Sequence, residues 1–469
     1  MHGGLFMRKW LCAFFLTICL LTGVAIAEAA ECTLSAPGTV TGFAENPIVL
    51  TVPQAGTVTL ALQNDLGREC LRIATDAPIV PGTNTFSWDG LGYYQEQLER
   101  MTYTLTAHIV TPAETYDLSQ PVRVGLSRQA VVMALANSRV LYQGGGQSWF
   151  TEVKLIRKGT LCIAYYRADN LENCLYLQRK EIGNYRIHNH KWDGKLHGKA
   201  VVPGDYVLRF YAEESPDIVL EVAVTVVAGA YVSPALTVSD AYLPSRNATD
   251  AELWAWMQQP ITVSTLKNLS HQKLYAAPDR RSKSPGTIHG QSQGVQVLEP
   301  PANGWVKVGA YTHESGAWTE GYVQADRLTT IPPQGDYGLL LDKQAQTLAV
   351  FYQGERLATF SISTGLARKG HPEYETPAGM YLTLEHMQDY SLAGNNYDHV
   401  IRYDGGNLLH QCAYRMRQGW RDYTEQAELL GSKASHGCIR LPYDGADGFT
   451  AYWLWTHVPY GTKLIIWEE

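Results

Sequence analysis

The sequence predicts a mainly β protein with tandem β-sandwich units, a small barrel and a β-rich C-terminal domain that carries a capping helix. The first observation is composition, since the chain has 28 Tyr, 12 Trp and 42 Gly among 469 residues. Aromatic residues favour strands and Gly favours tight turns, so many short strands are expected rather than helical bundles. The second observation is a repeated Trp-Asp-Gly pattern, and the third is a series of short apolar runs bounded by Gly and Pro. This length has room for about three domains of roughly 150 residues each.

The first 30 residues have the anatomy of a secretory signal peptide. Arg8 and Lys9 form a basic region, residues 11–27 are apolar, and Ala25-Ile26-Ala27 is a small-x-small cleavage site. An uncleaved anchor is the alternative, because this apolar run is near the lower limit for a membrane span. We predict that residues 1–30 are removed and that the protein is exported to the cell envelope, in the periplasm or at the cell wall.

Charge and cysteine content limit which partners and which redox state are expected for the protein. The formal net charge of −7 argues against nucleic acid as a partner. The sequence also has no polybasic patch of the kind that binds a membrane surface. Export permits disulfides, and Cys32–Cys70 and Cys162–Cys174 are expected pairs because each lies within one predicted domain. Connectivity cannot be read from sequence alone. These pairs would leave Cys412 and Cys438 as thiols.

An internal repeat indicates two related β units. Trp88-Asp-Gly is followed after 15 residues by Tyr103, and Trp192-Asp-Gly is followed after 14 residues by Tyr206. Asp-Gly makes a turn after a strand that ends in a core Trp. The pattern resembles the Ig-like β-sandwich unit, which offers no chemistry by itself, so we expect spacer or partner-binding modules. The predicted units cover residues 31–125 and 126–230.

Two shorter segments precede the last domain. Residues 231–267 look like a connector with one short helix, since Thr249-Asp-Ala-Glu252 fits a capping box. Residues 268–331 contain short strands with Gly and Pro at their ends and resemble a bacterial SH3-like domain. In envelope enzymes such domains often bind wall peptides or glycan. Aromatic residues such as Tyr275 or Trp318 would either line a ligand groove or pack in the barrel.

The residues that can carry chemistry lie near the C-terminus, in Ser435-His436-Gly437-Cys438-Ile439-Arg440, with His410 upstream. A cysteine with a histidine base is a nucleophile arrangement for acyl transfer. Ser363-Thr-Gly365 and Thr376-Pro-Ala-Gly379 precede both, after two opening strands. In this order the motifs resemble those of the L,D-transpeptidase (YkuD-type) catalytic domain, which would span residues 335–469.

The resemblance assigns the nucleophile and its base. Cys438 would attack an amide carbonyl as a thiolate, and His410 would take the thiol proton and later protonate the leaving amine. His399 is the next candidate base, but it lacks the flanking strand pattern. His457 follows Cys438, as the histidine does in a different class of cysteine peptidase, so that arrangement stays a rival. The family fold is β-rich and capped by a helix, and Asp444 is expected to cap a helix that runs to about His457.

The other residues of the motif receive supporting or binding roles. His436 and Gly437 would shape the turn, and backbone N–H groups around Gly437-Cys438 would hold the developing oxyanion. Arg440 would bind a substrate carboxylate, or else serve as a structural ion-pair partner. Ser435 would support the turn by hydrogen bonding, and it is grouped with Arg440 as a candidate substrate-binding residue.

The resemblance also implies the reaction. The enzyme attacks the bond between the third residue, a diamino acid, and the terminal D-Ala of a peptidoglycan tetrapeptide stem, and a thioester forms on Cys438. The side-chain amine of another stem resolves the thioester and makes a 3→3 cross-link, with no metal or organic cofactor. Family members are commonly acylated by carbapenems. Two alternatives stay open, namely an L,D-carboxypeptidase or endopeptidase that uses water as acceptor, and a wall-binding scaffold whose catalytic domain is silent.

The loop between the base and the nucleophile departs from the family pattern. His410 and Cys438 are 28 positions apart, which is longer than in compact members and implies an inserted segment at 411–434. That segment contains Tyr414 among several other aromatic and cationic residues. We expect either a lid over an acidic peptide, with Tyr414 contacting substrate, or a solvated surface loop.

The two residues after His410 are also unusual. Gln411 stands where Ser, Thr or Gly is usual, so a backbone carbonyl is expected to orient the imidazole. Cys412 follows, and a disulfide between Cys412 and Cys438 would shut the site in an oxidising envelope.

Overall fold

The computed structural model of the chain confirms the predicted mainly β class. None of the helices in the described part of the chain is long and apolar enough to cross a membrane. The predicted signal peptide, residues 1–30, lies outside the described residues. The structure describes residues 31–65, 67–92, 98, 100–125, 127–183, 186–267, 269–388, 390–392, 395–417, 420–443 and 449–468.

The first unit folds as two sheets around one apolar core. Its strands are β1 (Thr33–Ser35), β2 (Thr39–Val40), β3 (Asn46–Val52), β4 (Gly56–Gln63), β5 (Glu69–Ile79), β6 (Gly82–Trp88), β7 (Thr102–Val110) and β8 (Thr115–Val124). The sheet orders are β1-β3-β6 and β2-β8-β7-β4-β5. Ile48 and Leu50 on β3 and Leu60 on β4 meet in the core, each nearly inaccessible to solvent. Alternation of buried and exposed residues along these strands sets which face meets the core.

The second unit repeats this arrangement of two sheets. Its strands are β9 (Val131–Ala136), β10 (Val140–Tyr142), β11 (Phe150–Leu155), β12 (Gly159–Arg167), β13 (Tyr176–Ile182), β14 (His188–Lys191), β15 (Lys195–Leu196), β16 (Lys199–Ala200), β17 (Gly204–Ala212) and β18 (Leu220–Val227). The sheets of the core are β14-β11-β9 and β10-β18-β17-β12-β13. Trp192 and Tyr206, two residues of the sequence repeat, pack together in that core with ring centroids 5.6 Å apart.

The Trp-Asp-Gly repeat makes the same turn in both units. The indole N–H of Trp88 donates to the Leu91 carbonyl at 2.9 Å, and that of Trp192 donates to the Lys195 carbonyl at 2.9 Å. In each unit the Asp side chain accepts from the backbone N–H two residues further on, which is an Asx turn. The following Gly takes a positive φ of 75° in the first unit and 74° in the second. The sequence repeat is therefore a structural repeat at these turns.

Helix α1 (Asp250–Gln258) forms in the predicted connector. The Thr249 hydroxyl accepts from the Glu252 N–H at 3.3 Å, and the Glu252 carboxylate accepts from the Thr249 N–H at 2.7 Å. This is the capping box that the sequence predicted. The helix buries Leu253 and Met257 against side chains of the C-terminal domain.

The third unit contains short strands around a small core of its own. Its strands are β19 (Ile261–Ser264), β20 (His271–Leu274), β21 (Gly286–His289), β22 (Gln296–Val297), β23 (Trp305–Tyr311), β24 (Trp318–Gln324) and β25 (Leu328–Ile331), with a 3₁₀ turn at Ala325–Arg327. Strand β19 pairs with β25, so the unit includes part of the predicted connector. Tyr275 packs on Trp305 at 5.5 Å, and Trp318 packs on Tyr242 at 5.1 Å, so both aromatic residues contribute to packing.

The C-terminal domain packs two sheets and a helix around the largest core of the molecule. Its elements are β26 (Tyr337–Asp342), β27 (Thr347–Tyr352), β28 (Glu355–Ser361), a 3₁₀ turn (Pro372–Tyr374), β29 (Gly379–Leu382), β30 (His386–Met387), β31 (Tyr390–Leu392), β32 (Asn395–Tyr397), β33 (Val400–Asp404), β34 (Asn407–Gln411), β35 (Arg415–Arg417), β36 (Trp420–Asp422), α2 (Thr424–Ala427), β37 (Ile439–Leu441), α3 (Ala451–His457) and β38 (Lys463–Trp467). The sheet orders are β28-β27-β26-β38-β29 and β30-β33-β34-β37. Helix α3 is capped by Thr450, whose hydroxyl accepts from the Trp453 N–H at 3.1 Å, whereas Asp444 lies outside the described residues.

Neither expected disulfide is formed, since all six cysteines in the described part of the chain are thiols. The thiol of Cys70 donates to the carbonyl of the facing strand β4 at 3.3 Å. Cys162 is buried in the middle of β12, whereas Cys174 is exposed in the loop before β13 and donates to the Tyr176 carbonyl at 3.2 Å. Closeness in sequence did not bring either pair of sulfur atoms together.

Buried polar contacts join the second unit to the C-terminal domain. Glu152 on β11 is 2% exposed, and its carboxylate lies 2.6 Å from Nδ1 of His386. Nε2 of the same ring lies 3.0 Å from the Val458 carbonyl. Because a carbonyl can only accept, Nε2 must donate, and the ring is held from both sides. The contact fixes strand β11 against β30.

The third unit meets the C-terminal domain through a second buried pair. Nε2 of His289 lies 3.2 Å from Oδ1 of Asp404, and the two side chains are 2% and 1% exposed. The rings of His271 and His313 pack on His289, with centroids 4.6 Å and 4.8 Å away. Asn407 donates to the other oxygen of Asp404 at 3.2 Å. Burial raises the pKa of Asp404 to about 7, and it lowers the pKa of His289 to about 4.

We expect Asp404→Asn to stabilise the protein more at pH 8 than at pH 5. A carboxyl whose pKa is raised on folding costs stability as pH rises from its unfolded value of about 4 through its folded value of about 7. The amide stays neutral and avoids that cost. Thermal melts of both proteins at several pH values measure the difference. Asp250→Asn is the control of opposite sign, because Arg356 lowers the pKa of that exposed carboxyl. A gap between Asp404→Asn and the parent that shrinks with rising pH contradicts this prediction.

Candidate active site

The nucleophile and the base lie on neighbouring parallel strands. Strand β34 pairs with β37 so that His410 lies directly opposite Arg440. Side chains at paired positions point to the same face of a sheet, and so do side chains two residues apart along a strand. Cys438 lies directly before strand β37, two residues before Arg440, and is near enough for its charge to act on the pKa of Arg440. The fold thus places His410 and Arg440 on one sheet face, with Cys438 at the start of the strand that carries Arg440.

Cys438 sits in a partly buried position just before β37. Burial raises the pKa of its thiol, although a backbone hydrogen bond from Leu408 and the charges of Arg440 and Arg402 act in the opposite direction. The thiol is therefore largely protonated at neutral pH. A base must remove its proton when it attacks.

His410 is buried, with 3% of the residue exposed. Its Nδ1 lies 2.6 Å from the Gln411 carbonyl. The carbonyl can only accept, so Nδ1 carries the proton and Nε2 is left as the acceptor. Burial lowers the pKa of the imidazole to about 4, so the ring is a neutral base at neutral pH. The backbone carbonyl orients the imidazole, as expected from the unusual Gln411.

The turn before Cys438 depends on Ser435 and Gly437. The Ser435 hydroxyl donates to the Cys438 carbonyl at 2.5 Å and accepts from the Gly437 N–H at 3.2 Å. Ser435 therefore supports the turn as predicted. The Gly437 N–H is engaged within the turn, whereas no described residue accepts a hydrogen bond from the Cys438 N–H. Among the described residues, the Cys438 N–H therefore has no competing acceptor, whereas the Gly437 N–H has one in Ser435.

The Ser363-Thr364-Gly365 motif binds the backbone of the catalytic turn. Ser363 and Arg440 exchange backbone hydrogen bonds at 2.9 Å and 3.1 Å, and the Ser435 N–H donates to the Thr364 carbonyl at 3.0 Å. A Cβ at Gly365 would lie 2.1 Å from the Tyr374 carbonyl oxygen, so only glycine fits there. This motif acts by holding the turn, with its backbone rather than its side chains.

Arg440 and His436 differ in burial. Arg440 is partly buried, forms no ion pair with the described residues, and has a buried Nη1 without a hydrogen-bond partner among them. The carboxylate-binding role and the ion-pair role of Arg440 both stay predictions. His436 is exposed, and its ring packs edge-on against Tyr374 at 4.4 Å. Burial and the charge of Arg368 lower its pKa.

The described part of the inserted segment 411–434 packs in a small cluster of buried residues that it shares with Tyr443. Cys412, Tyr423, Ala427 and Tyr443 cluster there, and Tyr423 stacks on Tyr443 at 4.0 Å. The thiol of Cys412 faces the Gln426 carbonyl at 3.8 Å, and it forms no disulfide with Cys438.

Tyr414 connects the inserted segment to a neighbouring hairpin. Its backbone bridges to Asn396, its hydroxyl donates to Asp398 at 3.4 Å, and its ring lies 5.4 Å from that of Tyr423. These contacts attach the inserted segment to the hairpin β31–β32 through Tyr414. Its predicted contact with substrate stays a prediction.

Sequence reasoning missed Tyr397, which lies at the end of β32. Its ring contacts His410 edge-on with centroids 4.5 Å apart. Its hydroxyl is close enough to Cys438 and Arg440 for their charges to act on its pKa, which burial raises. The hairpin thus lies over the imidazole. No motif marks this tyrosine, because its distance from the nucleophile along the chain is set by the fold.

The two rival histidines have other partners. Nδ1 of His399 lies 2.6 Å from the Gln411 side chain, and its ring contacts Trp455. His457 stacks on Trp453 with centroids 4.5 Å apart, and its Nδ1 faces the Trp453 carbonyl at 2.8 Å. Neither contact involves the motif around Cys438.

Comparison with known proteins gives a match over the C-terminal domain. Residues 336–466 match the family model of the L,D-transpeptidase catalytic domain, YkuD. No curated protein sequence matches the chain. Within the described part of the chain, no three or more His, Cys, Asp or Glu side chains are grouped to hold a metal ion.

Solved structures of the same class show weak overall similarity. An L,D-transpeptidase from Mycobacterium smegmatis is 14% identical, covers 57% of this chain and 92% of its own, and gives a TM-score of 0.23. The catalytic domain of the E. faecium L,D-transpeptidase is 20% identical, covers 28% of this chain and 97% of its own, and gives a TM-score of 0.21. An L,D-transpeptidase from Xylanimonas cellulosilytica is 18% identical, covers 30% of this chain and 72% of its own, and gives a TM-score of 0.21. Scores this low support no inference about this chain.

The C-terminal domain is therefore an L,D-transpeptidase catalytic domain. This match confirms the prediction that the protein is an enzyme of the L,D-transpeptidase class. The Ig-like and SH3-like resemblances of the upstream units stay predictions.

Proposed function

We propose that the protein is an exported enzyme that forms 3→3 cross-links between peptidoglycan stem peptides in the cell envelope. The observation that carries this proposal is the pairing of His410 with Arg440 on neighbouring strands, with Cys438 directly before the strand of Arg440, inside a domain that matches the L,D-transpeptidase family. Cys438 supplies the nucleophile, His410 supplies a neutral base, and Arg440 offers a cation to a substrate carboxylate.

Acylation begins when Nε2 of His410 accepts the Cys438 proton and the sulfur attacks the carbonyl of the third stem residue. Burial keeps both resting groups neutral, so the proton moves as the C–S bond forms. The oxyanion accepts a hydrogen bond from the Cys438 N–H. When it collapses, the C–N bond to D-Ala breaks, the imidazolium protonates the leaving amine, and a thioester remains.

Transfer reverses these proton movements. The side-chain amine of a second stem attacks the thioester and gives a proton to His410. The C–S bond breaks, the thiolate regains that proton, and an amide joins the two stems. The step needs no metal or organic cofactor. The buried Nη1 of Arg440, which has no described partner, supports binding of a stem carboxylate beside the nucleophile.

The test is mass spectrometry of purified disaccharide-tetrapeptides incubated with the protein. We expect release of D-Ala and a cross-linked dimer that has lost one D-Ala, and no release by Cys438→Ala. A free tripeptide product without a dimer would instead establish the L,D-carboxypeptidase alternative. Release of D-Ala by Cys438→Ala would overturn the assignment of the nucleophile.

Export is tested separately by sequencing the N-terminus of the protein recovered from the envelope fraction. We expect it to begin within a few residues of Ala27 or Ala30. Recovery of the intact Met1 form from the cytoplasmic fraction alone would contradict export.

A further inference from the structure

Two buried hydroxyl groups hold the carbonyl that immediately precedes the nucleophile. The Thr376 hydroxyl donates to the Gly437 carbonyl at 2.9 Å, and the Tyr403 hydroxyl donates to the same oxygen at 3.2 Å. Both side chains are fully buried. They come from different parts of the domain, since Tyr403 is on β33 and Thr376 lies just before β29. One carbonyl oxygen thus accepts both hydroxyl protons and has its two lone pairs engaged.

The geometry of the peptide group turns this contact into an orienting device. The Gly437 carbonyl and the Cys438 N–H belong to one planar peptide, and no cis peptide bond is found in the described chain. In a trans peptide the C=O and the N–H point in opposite directions. Holding the oxygen between two hydroxyls therefore fixes the direction in which the Cys438 N–H points. This peptide lies before the ladder between β34 and β37, which begins at Ile439.

We propose that Tyr403 and Thr376 are positioning residues that aim the Cys438 N–H at the oxyanion of the acyl-transfer reaction. This inference rests on the proposed function, which requires such an oxyanion. The Gly437 N–H already donates to Ser435. The direction of the Cys438 N–H therefore decides whether this turn donates a hydrogen bond to the oxyanion. Neither hydroxyl touches substrate, and both act through the peptide between Gly437 and Cys438.

Each hydroxyl is itself held in the donating orientation. The Thr376 oxygen accepts from the Gly365 N–H at 2.8 Å, so its own proton is directed at Gly437. The Thr376 carbonyl accepts from Lys343, a buried lysine that also pairs with Glu375. The ring of Tyr403 packs edge-on against Tyr381 at 5.4 Å. Burial raises the pKa of Tyr403 well above its ordinary value, so its hydroxyl stays protonated and donates.

The experiment compares two reactions of the same thiol. Acylation by a carbapenem passes through an oxyanion, whereas alkylation by iodoacetamide does not, and mass spectrometry of Cys438 follows both. For Tyr403→Phe and for Thr376→Val we expect acylation to slow by about tenfold or more, and by about 10²–10³-fold for the double variant. Alkylation is expected to stay within about twofold of the parent, since the thiol and His410 are untouched. Thr376→Ser keeps the hydroxyl and is expected to restore acylation.

Tyr381→Phe is the matched control. This tyrosine is also fully buried and packs on Tyr403, but its hydroxyl donates to the Ala378 carbonyl at 3.0 Å instead of the catalytic turn. We expect neither rate to change. Parent-like acylation in both Tyr403→Phe and Thr376→Val would overturn the inference, and so would a parallel fall in alkylation, which indicates a general structural role. A parent enzyme that is alkylated at Cys438 but neither acylated nor able to release D-Ala would overturn the proposed function instead.

Discussion

Replacing His410 by Gln is expected to slow acylation of Cys438 by about 10²–10⁴-fold near neutral pH, the usual contribution of a general base. Burial raises the pKa of the thiol, so little thiolate exists without help. The imidazole is neutral and its Nε2 is free of the proton, because Nδ1 donates to the Gln411 carbonyl. Glutamine has a similar size and still hydrogen-bonds, but it cannot take the proton. The rate constant of carbapenem acylation, followed by mass spectrometry, measures the loss.

The pH profile distinguishes this role from simple packing. In the parent, the base is lost only as pH falls through the lowered pKa of His410, about 4, so acylation should be nearly level above that value. In His410→Gln the rate should follow ionisation of the unassisted thiol and keep rising beyond its ordinary pKa of about 8.5. His457→Gln is the informative control, since His457 is partly buried and burial lowers its pKa to about 4 as well. A profile altered by His457→Gln and not by His410→Gln would favour the rival cysteine peptidase class.

Sequence predicted the site where local chemistry fixes the backbone. The turn at Ser435 to Arg440 is such a case, since the Ser435 hydroxyl and the positive φ of Gly437 define it within a few residues. The capping box of α1 and the two Trp-Asp-Gly turns are others. In each the stabilising contacts span only a few positions, so the residue types alone indicate the conformation.

Contacts that depend on tertiary structure could not be predicted from the sequence. Tyr403 reaches Gly437 only because β33 and β34 are adjacent and β34 pairs in parallel with β37, a register that no local pattern specifies. Tyr397 covers His410 for the same kind of reason. The predicted disulfides were wrong for a similar reason, because sequence spacing does not say which way a strand residue points.

The buried pairs between units show a further limit. His289 and Asp404 are 115 positions apart, and Glu152 and His386 are 234 positions apart, yet each pair is almost fully buried. Neither belongs to a motif. Asp404 also accepts from Asn407, whose side chain lies against Gly437. The third unit therefore reaches the catalytic turn through a chain of three contacts, which gives it a structural connection to the site beyond that of a spacer.

Replacing Gly437 by Ala is expected to lower acylation by about 10²-fold or more, because a small misplacement of reacting groups has that effect. Gly437 has a φ of 109°, where a side chain costs about 1–3 kcal/mol. An added Cβ would also lie 2.4 Å from Oδ1 of Asn407. Asn407 is 8% exposed and donates to Asp404, so it cannot move aside without losing that bond. The turn must shift instead, and Cys438 moves with it.

Gly406→Ala provides the matched control for this change. Gly406 lies in the adjacent turn, has no strained φ, and an added Cβ would meet nothing within 4 Å. We expect the Gly406→Ala protein to have the melting temperature and the acylation rate of the parent. Adding Asn407→Ala to Gly437→Ala removes the collision but keeps the strained φ, so acylation should recover only in part. Full recovery would assign the effect to the collision alone, and parent-like acylation by Gly437→Ala itself would show that the turn tolerates a side chain, against the geometry on which the Cys438 N–H depends.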